Sequence, residues 1–286
     1  MADVSVVIAL YNGAATIGEQ LDALASQTLS GCEIVVADNG STDGGPEIVR
    51  SHRVGARLVD ASQRRGQGYA RNAGASAATG SKLLFCDSDD VVDTGWAAAL
   101  ADALDRWDVV GGFLEERTLN EGIEGWRNPS SAIFTARPLP YGGGGNLGIR
   151  RHVFEAISGW PTDLTGSGED NVLCWRAQLA GYSFGHEPSA IVHYRWRHDL
   201  SAHVRQQFVY GRQLPIVQAR FPQFEPARVT PWWKTLGWLG THTPLLFRRR
   251  TVGLWLGTAA YRLGMAAGAR VSDQMRVRSD PDSGPA

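Results

Sequence analysis

Three carboxylates, Asp87, Asp89 and Asp90, fall within four residues around Ser88, directly after the apolar run Leu83-Leu84-Phe85-Cys86. Carboxylates so close repel one another unless a cation lies between them. A hard divalent ion such as Mg²⁺ takes one or two such groups and completes its shell with water and phosphate oxygens. The same letters are also ordinary turn and helix-cap chemistry, and the run alone leaves both readings open. Gly168-Glu169-Asp170 opens a helical pattern. Acids in a first turn suit the helix dipole, and a carboxylate held there could equally serve as a general base. His193 closes another apolar run, before Tyr194-Arg195-Trp196-Arg197-His198; a structural role and a metal or phosphate role are both open to it.

These groups need a frame to bring them together, and the first half of the chain supplies one. Ser5–Leu10, Glu33–Ala37, Ala56–Val59 and Leu83–Cys86 read as strands buried on both faces. Between them, Ala14–Thr28 carries Ile17, Leu21 and Leu24 at helical spacing, a second helix runs through Ile48 and Val49, and Gly66–Ala78 reads as a loop feeding a small-residue helix. Strand, turn and helix in alternation predict an α/β fold with a doubly wound, mostly parallel sheet. The polar clusters Tyr11-Asn12, Asp38-Asn39 and Asp87 to Asp90 all follow strands. In a parallel sheet those ends share one edge and converge on one crevice.

Beyond Asp90 the pattern predicts a helix over Ala97–Trp107, a strand over Val109–Phe113 and a polar, function-bearing insertion through Pro140. Gly142 to Gly145 allow close backbone approach to a ligand, a hinge, or a loop without contacts. A helical pattern led by Gly166 to Asp170, with Val172, Leu173, Arg176 and Leu179 and closed by Gly181, a strand over Glu187–Val192 and an amphipathic helix over Asp199–Ala219 follow. Pro231–Ala269 is rich in Trp and Arg, with Trp232, Trp233, Trp238, Trp255 and Arg248-Arg249-Arg250. This region suits either a membrane interface or packing on the core or on a second subunit, as in a homodimer. The expected division is 1–222, with halves near 1–115 and 116–222, then a helical region 223–272 and a disordered tail 273–286.

A net charge of −1 with 20% charged residues gives no field for nucleic acid. Cys32, Cys86 and Cys174 are scattered, without disulfide or zinc spacing. The N-terminus has no basic, apolar leader pattern. Together these point to the cytoplasm, with the inner face of the membrane as an option.

In order, Val-Val-Ile-Ala-Leu-Tyr-Asn-Gly from Val6, Glu-Ile-Val-Val-Ala-Asp-Asn-Gly-Ser-Thr-Asp from Glu33, Gly-Tyr-Ala-Arg-Asn-Ala-Gly from Gly68, Phe-Cys-Asp-Ser-Asp-Asp from Phe85 and Gly-Glu-Asp from Gly168 resemble the inverting family 2 glycosyltransferases of the GT-A fold. The resemblance runs from Ser5 to about Arg212. It implies a nucleotide-diphosphate sugar donor, usually a UDP-sugar, and transfer to a hydroxyl of a glycan, lipid-linked or small-molecule acceptor. By the same resemblance Leu10, Tyr11, Asn12 and Asp38 would line the nucleobase side and Arg71 the nucleotide. Asp87, with Ser88 beside it, would hold the ribose or metal-bound waters, and Asp89 would ligate Mg²⁺ or Mn²⁺. Asp170 would be the catalytic base with Glu169 next to it, and His193 matches a metal ligand of some members. Asp90 is left as cap or support. Asn39 stands where many members have a second aspartate, which leaves the nucleotide preference open. Two rival readings are a non-catalytic nucleotide-sugar-binding protein and a sugar-phosphate nucleotidyltransferase.

Overall fold

The computed structural model describes residues 3–122, 138–164, 166–197, 199–225, 231–247 and 249–279. Most of the expected polar insertion, His198, Arg248, the side chains of Trp232, Arg249 and Arg250, and the tail from 280 lie outside the described residues. The chain divides into two compact units. The first comprises Met1–Leu119, Ser131–Thr165 and Glu169–Arg195, and the second Asn120–Ser130, Gly166–Gly168 and Trp196–Ala286.

The first unit is the α/β sheet. Its strands are β1 (Val4–Leu10), β2 (Glu33–Asp38), β3 (Arg57–Asp60), β4 (Lys82–Asp87), β5 (Val91–Val92), β6 (Val109–Glu115), β7 (Asn146–Arg150) and β8 (Phe184–His193), in the order β3-β2-β1-β4-β7-β6-β8-β5. β1 pairs in parallel with β2 and β4, and β2 with β3. β7 runs antiparallel to both β4 and β6, so β4, β6 and β8 keep one direction. The helices of this unit are α1 (Ile17–Ala25), α2 (Gly45–Ser51), α3 (Gln67–Ala77), α4 (Trp96–Ala103), α5 (Arg151–Ala156) and α6 (Glu169–Leu179).

Alternation along the strands explains why helices cover both faces. Val4, Val6, Ile8 and Leu10 point into a core shared with Ile17, Leu21 and Leu24 of α1 and Trp96 and Leu100 of α4. On the opposite face Val7 meets α3 so closely that a Cβ on Gly74 would lie 2.6 Å from it. There, too, Phe85 packs edge-on against Trp160 and stacks on Phe154. Each such buried Leu or Phe contributes roughly 1.5–3 kcal/mol. Where β6 and β8 shift register between Gly112 and Phe113, the fully buried Asn146 donates from Nδ2 to the carbonyls of Phe113 and Ala190, and its Oδ1 accepts from the Trp96 indole. That one amide satisfies the carbonyls that a bulge leaves out of the ladder.

Several boundaries differ from the sequence expectation. α3 starts at Gln67, because Gly66 takes the φ of 138° that ends the preceding loop. α4 stops at Ala103 rather than Trp107, whose ring instead covers Gly185. β8 begins at Phe184, three residues early, through its pairing with β6.

The second unit contains α7 (Leu200–Ala219), α8 (Trp232–Thr241), a 3-10 turn (Thr243–Phe247) and α9 (Arg249–Ser279). Asp199 caps α7 by accepting the Ala202 N–H at 2.9 Å. α7 and α9 approach backbone to backbone: a Cβ on Gly264 would strike the Phe208 carbonyl and one on Gly268 that of Arg212. The two helices run parallel, since Phe208 and Arg212 meet Gly264 and Gly268 in the same order. This packing groups α7 with the C-terminal region, so the compact unit divides at Arg195 rather than near 222. α9 also continues as helix through Ser279, where a disordered tail was expected from 273.

Candidate functional site

The registers place the strand ends together. Leu10 lies opposite Asp38, Asp38 opposite Asp60, and Asp87 opposite Ala9, one residue short of the end of β1. The convergence expected of a parallel sheet is therefore met at β1, β2 and β4.

The acidic loop between β4 and β5 is pinned at both ends by one side chain. Gln20 of α1, fully buried, donates from Nε2 to the Asp87 carbonyl at 2.9 Å and accepts the Val92 N–H at 3.0 Å. Within this loop one carboxylate oxygen from each of Asp87, Asp89 and Asp90 lies within 4.8 Å of the others. Asp90 is 1% exposed. Its Oδ1 accepts the Arg195 N–H at 2.8 Å, while Arg195 Nε donates to the Asp89 carbonyl. Asp90 Oδ2 is buried without a hydrogen-bond partner, and burial, then the charges of Asp89 and Asp87, push its carboxyl well above the usual range. A buried orphan carboxylate oxygen beside two further carboxylates is a donor set that fits a hard divalent cation.

Arg71 ties this loop to the second group of acids. Almost fully buried on α3, it stacks on the Trp160 ring at 4.5 Å and donates from Nη2 to Asp87 Oδ1 at 2.7 Å, where Gln67 Nε2 also donates at 2.8 Å. Asn72 fixes Trp160 by a reciprocal pair of hydrogen bonds with its backbone, both 2.9 Å. Asp170, half-buried at the start of α6, accepts the Asn171 N–H at 2.9 Å and a further hydrogen bond from the Gly144 N–H. Burial pushes the Asp170 carboxyl up, against those hydrogen bonds and the Arg71 charge. Glu169, 5% exposed, is raised by burial as well, and feels Asp170, Arg71 and Asp87. Asp87, Arg71, Asp170 and Glu169 are thus electrostatically one group.

The glycine run serves this group. A Cβ on Gly144 would lie 2.7 Å from Arg71 Nη1, and one on Gly145 2.6 Å from Asp87 Oδ2. The close approach allowed by these glycines is therefore to Arg71 and Asp87 themselves. Gly145→Ala is expected to push the Asp87 carboxylate off Arg71 and Gln67, at the ~1–3 kcal/mol typical of overpacking. In thermal denaturation Tm should fall by roughly 2–12 °C, with the far-UV circular dichroism at room temperature unchanged; a wild-type Tm would show that Asp87 tolerates the shift.

The remaining expected residues fall into three groups. Tyr11 is 52% exposed at the β1 end with the Arg65 guanidinium 4.4 Å above its ring, an aromatic–cation platform open to a planar ligand. Asn12, at φ 51°, accepts the Thr42 N–H, and Asp38 accepts that of Ser41, so both shape the rim of the platform. Ser88 sits in the acidic loop beside Gly13. Leu10 differs from expectation: its side chain is in the core and its carbonyl is taken by the Asn39 N–H.

Asn39 is likewise structural. Its Nδ2 donates to the carbonyls of Ala61 and Arg64, and its Oδ1 accepts the Gly66 N–H. An aspartate there could not donate to either carbonyl.

His193 lies opposite Val91, the residue after Asp90, and turns its ring to Glu115 and Asp93. Its Nδ1 bonds Glu115 Oε2 at 3.0 Å and its Nε2 is 3.9 Å from Asp93. Burial raises the Glu115 carboxyl, but His193, Thr118 and the Arg117 N–H outweigh it and hold the group at about 2. Gln20, Gln67, Arg65, Trp160 and Arg195 were not expected. Their partners are distant in sequence, and no local spacing marks them.

Residues 5–158 match the family model described as Glycosyl transferase family 2. The chain is 32% identical over 203 residues to glycosyltransferase AglE of Haloferax volcanii, covering 64% of each chain. It is also 32% identical over 209 residues to the succinoglycan biosynthesis protein ExoO of Rhizobium meliloti, covering 66% of this chain and 59% of that one. The match therefore spans less than two thirds of these relatives. Among solved structures, S. aureus TarS 1–349 in complex with UDP-GlcNAc superposes with a TM-score of 0.58 at 18% identity, over 96% of this chain and 92% of that one. The mannosyltransferase PcManGT of Pyrobaculum calidifontis, in complex with GDP-Man and Mn²⁺, gives 0.58 at 22% identity, over 96% and 79%. The likeness to these glycosyltransferase structures extends to the fold.

Proposed function

Because the chain belongs to glycosyl transferase family 2, we propose that it transfers a sugar with inversion from a nucleotide-diphosphate sugar, a UDP-sugar in the first instance, to an acceptor hydroxyl. The observation that carries this reading is the tie through Arg71, which sets the acidic loop and the raised carboxyl of Asp170 in one electrostatic unit. TarS is described with UDP-GlcNAc and PcManGT with GDP-Man, so both nucleotides belong in the test. Tyr11 and Arg65 would take the planar base, with Asp38 and Asn12 at its rim.

Asp89 and Asp90 would hold Mg²⁺ or Mn²⁺, with Asp87 on the ribose side. Such an ion, when bound, offsets the negative charge of the leaving diphosphate. A sugar hydroxyl is a weak nucleophile, and Asp170 Oδ takes its proton as the new C–O bond forms. Burial raises the Asp170 carboxyl from its ordinary value, which makes it a better proton acceptor than an exposed aspartate. Glu169, more deeply buried, acts through Asp170 as a positioning residue. The acceptor is a glycan end, a lipid-linked saccharide or a small molecule. The free thiols of Cys32, Cys86 and Cys174 are in keeping with a cytoplasmic setting.

A panel of UDP- and GDP-sugars, each incubated with and without Mn²⁺ or Mg²⁺, is expected to show metal-dependent release of nucleoside diphosphate from one sugar type. Pyrophosphate release from a nucleoside triphosphate would instead identify a nucleotidyltransferase. Donor binding without any turnover across the panel and an acceptor library would leave a binding protein.

A further inference from the structure

The second unit carries most of the exposed large apolar side chains. Among the described residues eight large hydrophobic side chains are exposed, and five of them, Phe208, Trp233, Leu236, Phe247 and Leu263, lie in this unit. α8 shows the inversion most plainly. It buries Thr235 to 7% exposure, while Trp233 and Leu236, three residues apart and so on one face, are 57% and 56% exposed. The 3-10 turn that follows ends on Phe247 at 83% exposure.

α9 repeats the arrangement. Its buried side is mostly small residues, Gly253, Gly257, Ala259, Ala260, Gly264, Gly268 and Ser272 with Met265 among them, and Leu263 is on the outside. A water-soluble helix pair buries its bulky residues, because hydrophobic burial drives the association. Pairs that bury small residues and turn bulky ones outward are the pattern of helices whose surroundings are apolar.

Charge identifies those surroundings. Between Pro226 and Ser279 the sequence has nine Arg and Lys against one acid, Asp273, in a chain whose net charge is −1. Lys234 stands over the Trp233 ring at 5.3 Å, next to the exposed face of α8. Arg262, midway along α9, lies over the Trp238 ring at 4.7 Å. Trp beside Lys or Arg, with apolar residues between, is the composition of segments that rest at headgroup depth on anionic lipid. Among the described residues no helix is long and apolar enough to cross a membrane, so the face lies on the bilayer rather than through it.

We propose that α8, the 3-10 turn and the outer side of α9 form a docking face for an anionic lipid surface, inserting Trp233, Leu236 and Phe247 at the headgroup boundary. This goes beyond sugar transfer and stands whether or not that reading holds.

The test is co-flotation of the full chain with phosphatidylcholine vesicles and with vesicles containing phosphatidylglycerol, at low and high salt, with donor hydrolysis read in parallel. Binding is expected only to the anionic vesicles, weakened by salt, with a blue shift of tryptophan emission. The triple variant Trp233→Ser, Leu236→Ser, Phe247→Ser should lose at least about tenfold in partitioning while its circular dichroism and donor hydrolysis match wild type. Lys234→Glu should weaken the anionic preference without the triple variant's loss of emission shift. Absence of vesicle binding, or wild-type binding by the triple variant, would overturn the proposal. A wild-type dimer that the triple variant reduces to monomer, without lipid binding, would reassign the face to a chain–chain contact.

Discussion

Asp170→Asn is expected to lower kcat for sugar transfer by about 10²–10⁴-fold, the range supplied by a positioned general base. Donor affinity, followed by titration of the nucleotide sugar, should stay within about twofold of wild type on the same argument. The substitution keeps the shape of the side chain and an oxygen that can accept the Asn171 and Gly144 N–H groups. What it removes is the basic oxygen. The pH profile gives an independent reading. Burial raises the Asp170 carboxyl, so a base at this position would be protonated and inactive below a pKa that lies above the ordinary value near 3.8. The acid limb of kcat/KM should therefore fall at higher pH than for an exposed aspartate, and Asp170→Asn should abolish that limb along with the rate. Near-normal turnover by this variant would remove Asp170 from the base role. Glu169→Gln, by contrast, should bring a smaller loss of rate, since Glu169 acts through its neighbour rather than on the proton being transferred.

The frame of the site was legible because it rests on local signals. The β-branched runs at Val6–Ile8 and Ile34–Val36 and the turn residues after them fix β1, β2 and their ends, and a parallel sheet then brings Leu10, Asp38 and Asp87 to one edge without any knowledge of contacts. What stayed hidden depends on side-chain direction. Leu10 and Asn39 follow strands as Tyr11 and Asp38 do, yet alternation turns Leu10 into the core, and the carbonyls of Ala61 and Arg64 claim Asn39. Gln20 reads as one polar position on α1; only the fold shows that it spans Asp87 and Val92. The same holds for the glycines at 144 and 145, for which close approach, a hinge and a contact-free loop were all open and which lie against Arg71 and Asp87. His193 was placed correctly at the end of a strand. Its register partner on β5 is Val91, directly after Asp90, and what the sequence does not show is the direction of the ring, whose Nδ1 bonds Glu115 Oε2.

The acidic loop makes the second large prediction, and its sign is unusual. Asp90 is buried with its carboxyl raised by burial and by Asp89 and Asp87, so in the absence of a cation the folded state binds its proton more tightly than the unfolded chain. The contribution of Asp90 to stability is then greatest below the unfolded value near 3.9 and declines as pH rises toward its folded pKa, beyond which the full penalty is present. A divalent ion relieves that penalty. At neutral pH and about one hundred times its Kd it should add about 2.7 kcal/mol, or roughly 5–10 °C in Tm for a chain of this size. Asp89→Asn removes one of the repelling charges. Without metal this variant should melt about 2–6 °C above wild type, corresponding to ~1–2 kcal/mol of relieved repulsion. It should also show little further rise on adding Mn²⁺ or Mg²⁺, and lose metal-dependent donor hydrolysis by at least about 10²-fold. Stabilisation without metal together with loss of the metal response distinguishes a cation site from a capped turn, in which Asp89→Asn would weaken the fold and leave Tm indifferent to the ion. A wild-type Tm that does not move with divalent cations would return the loop to the capping role.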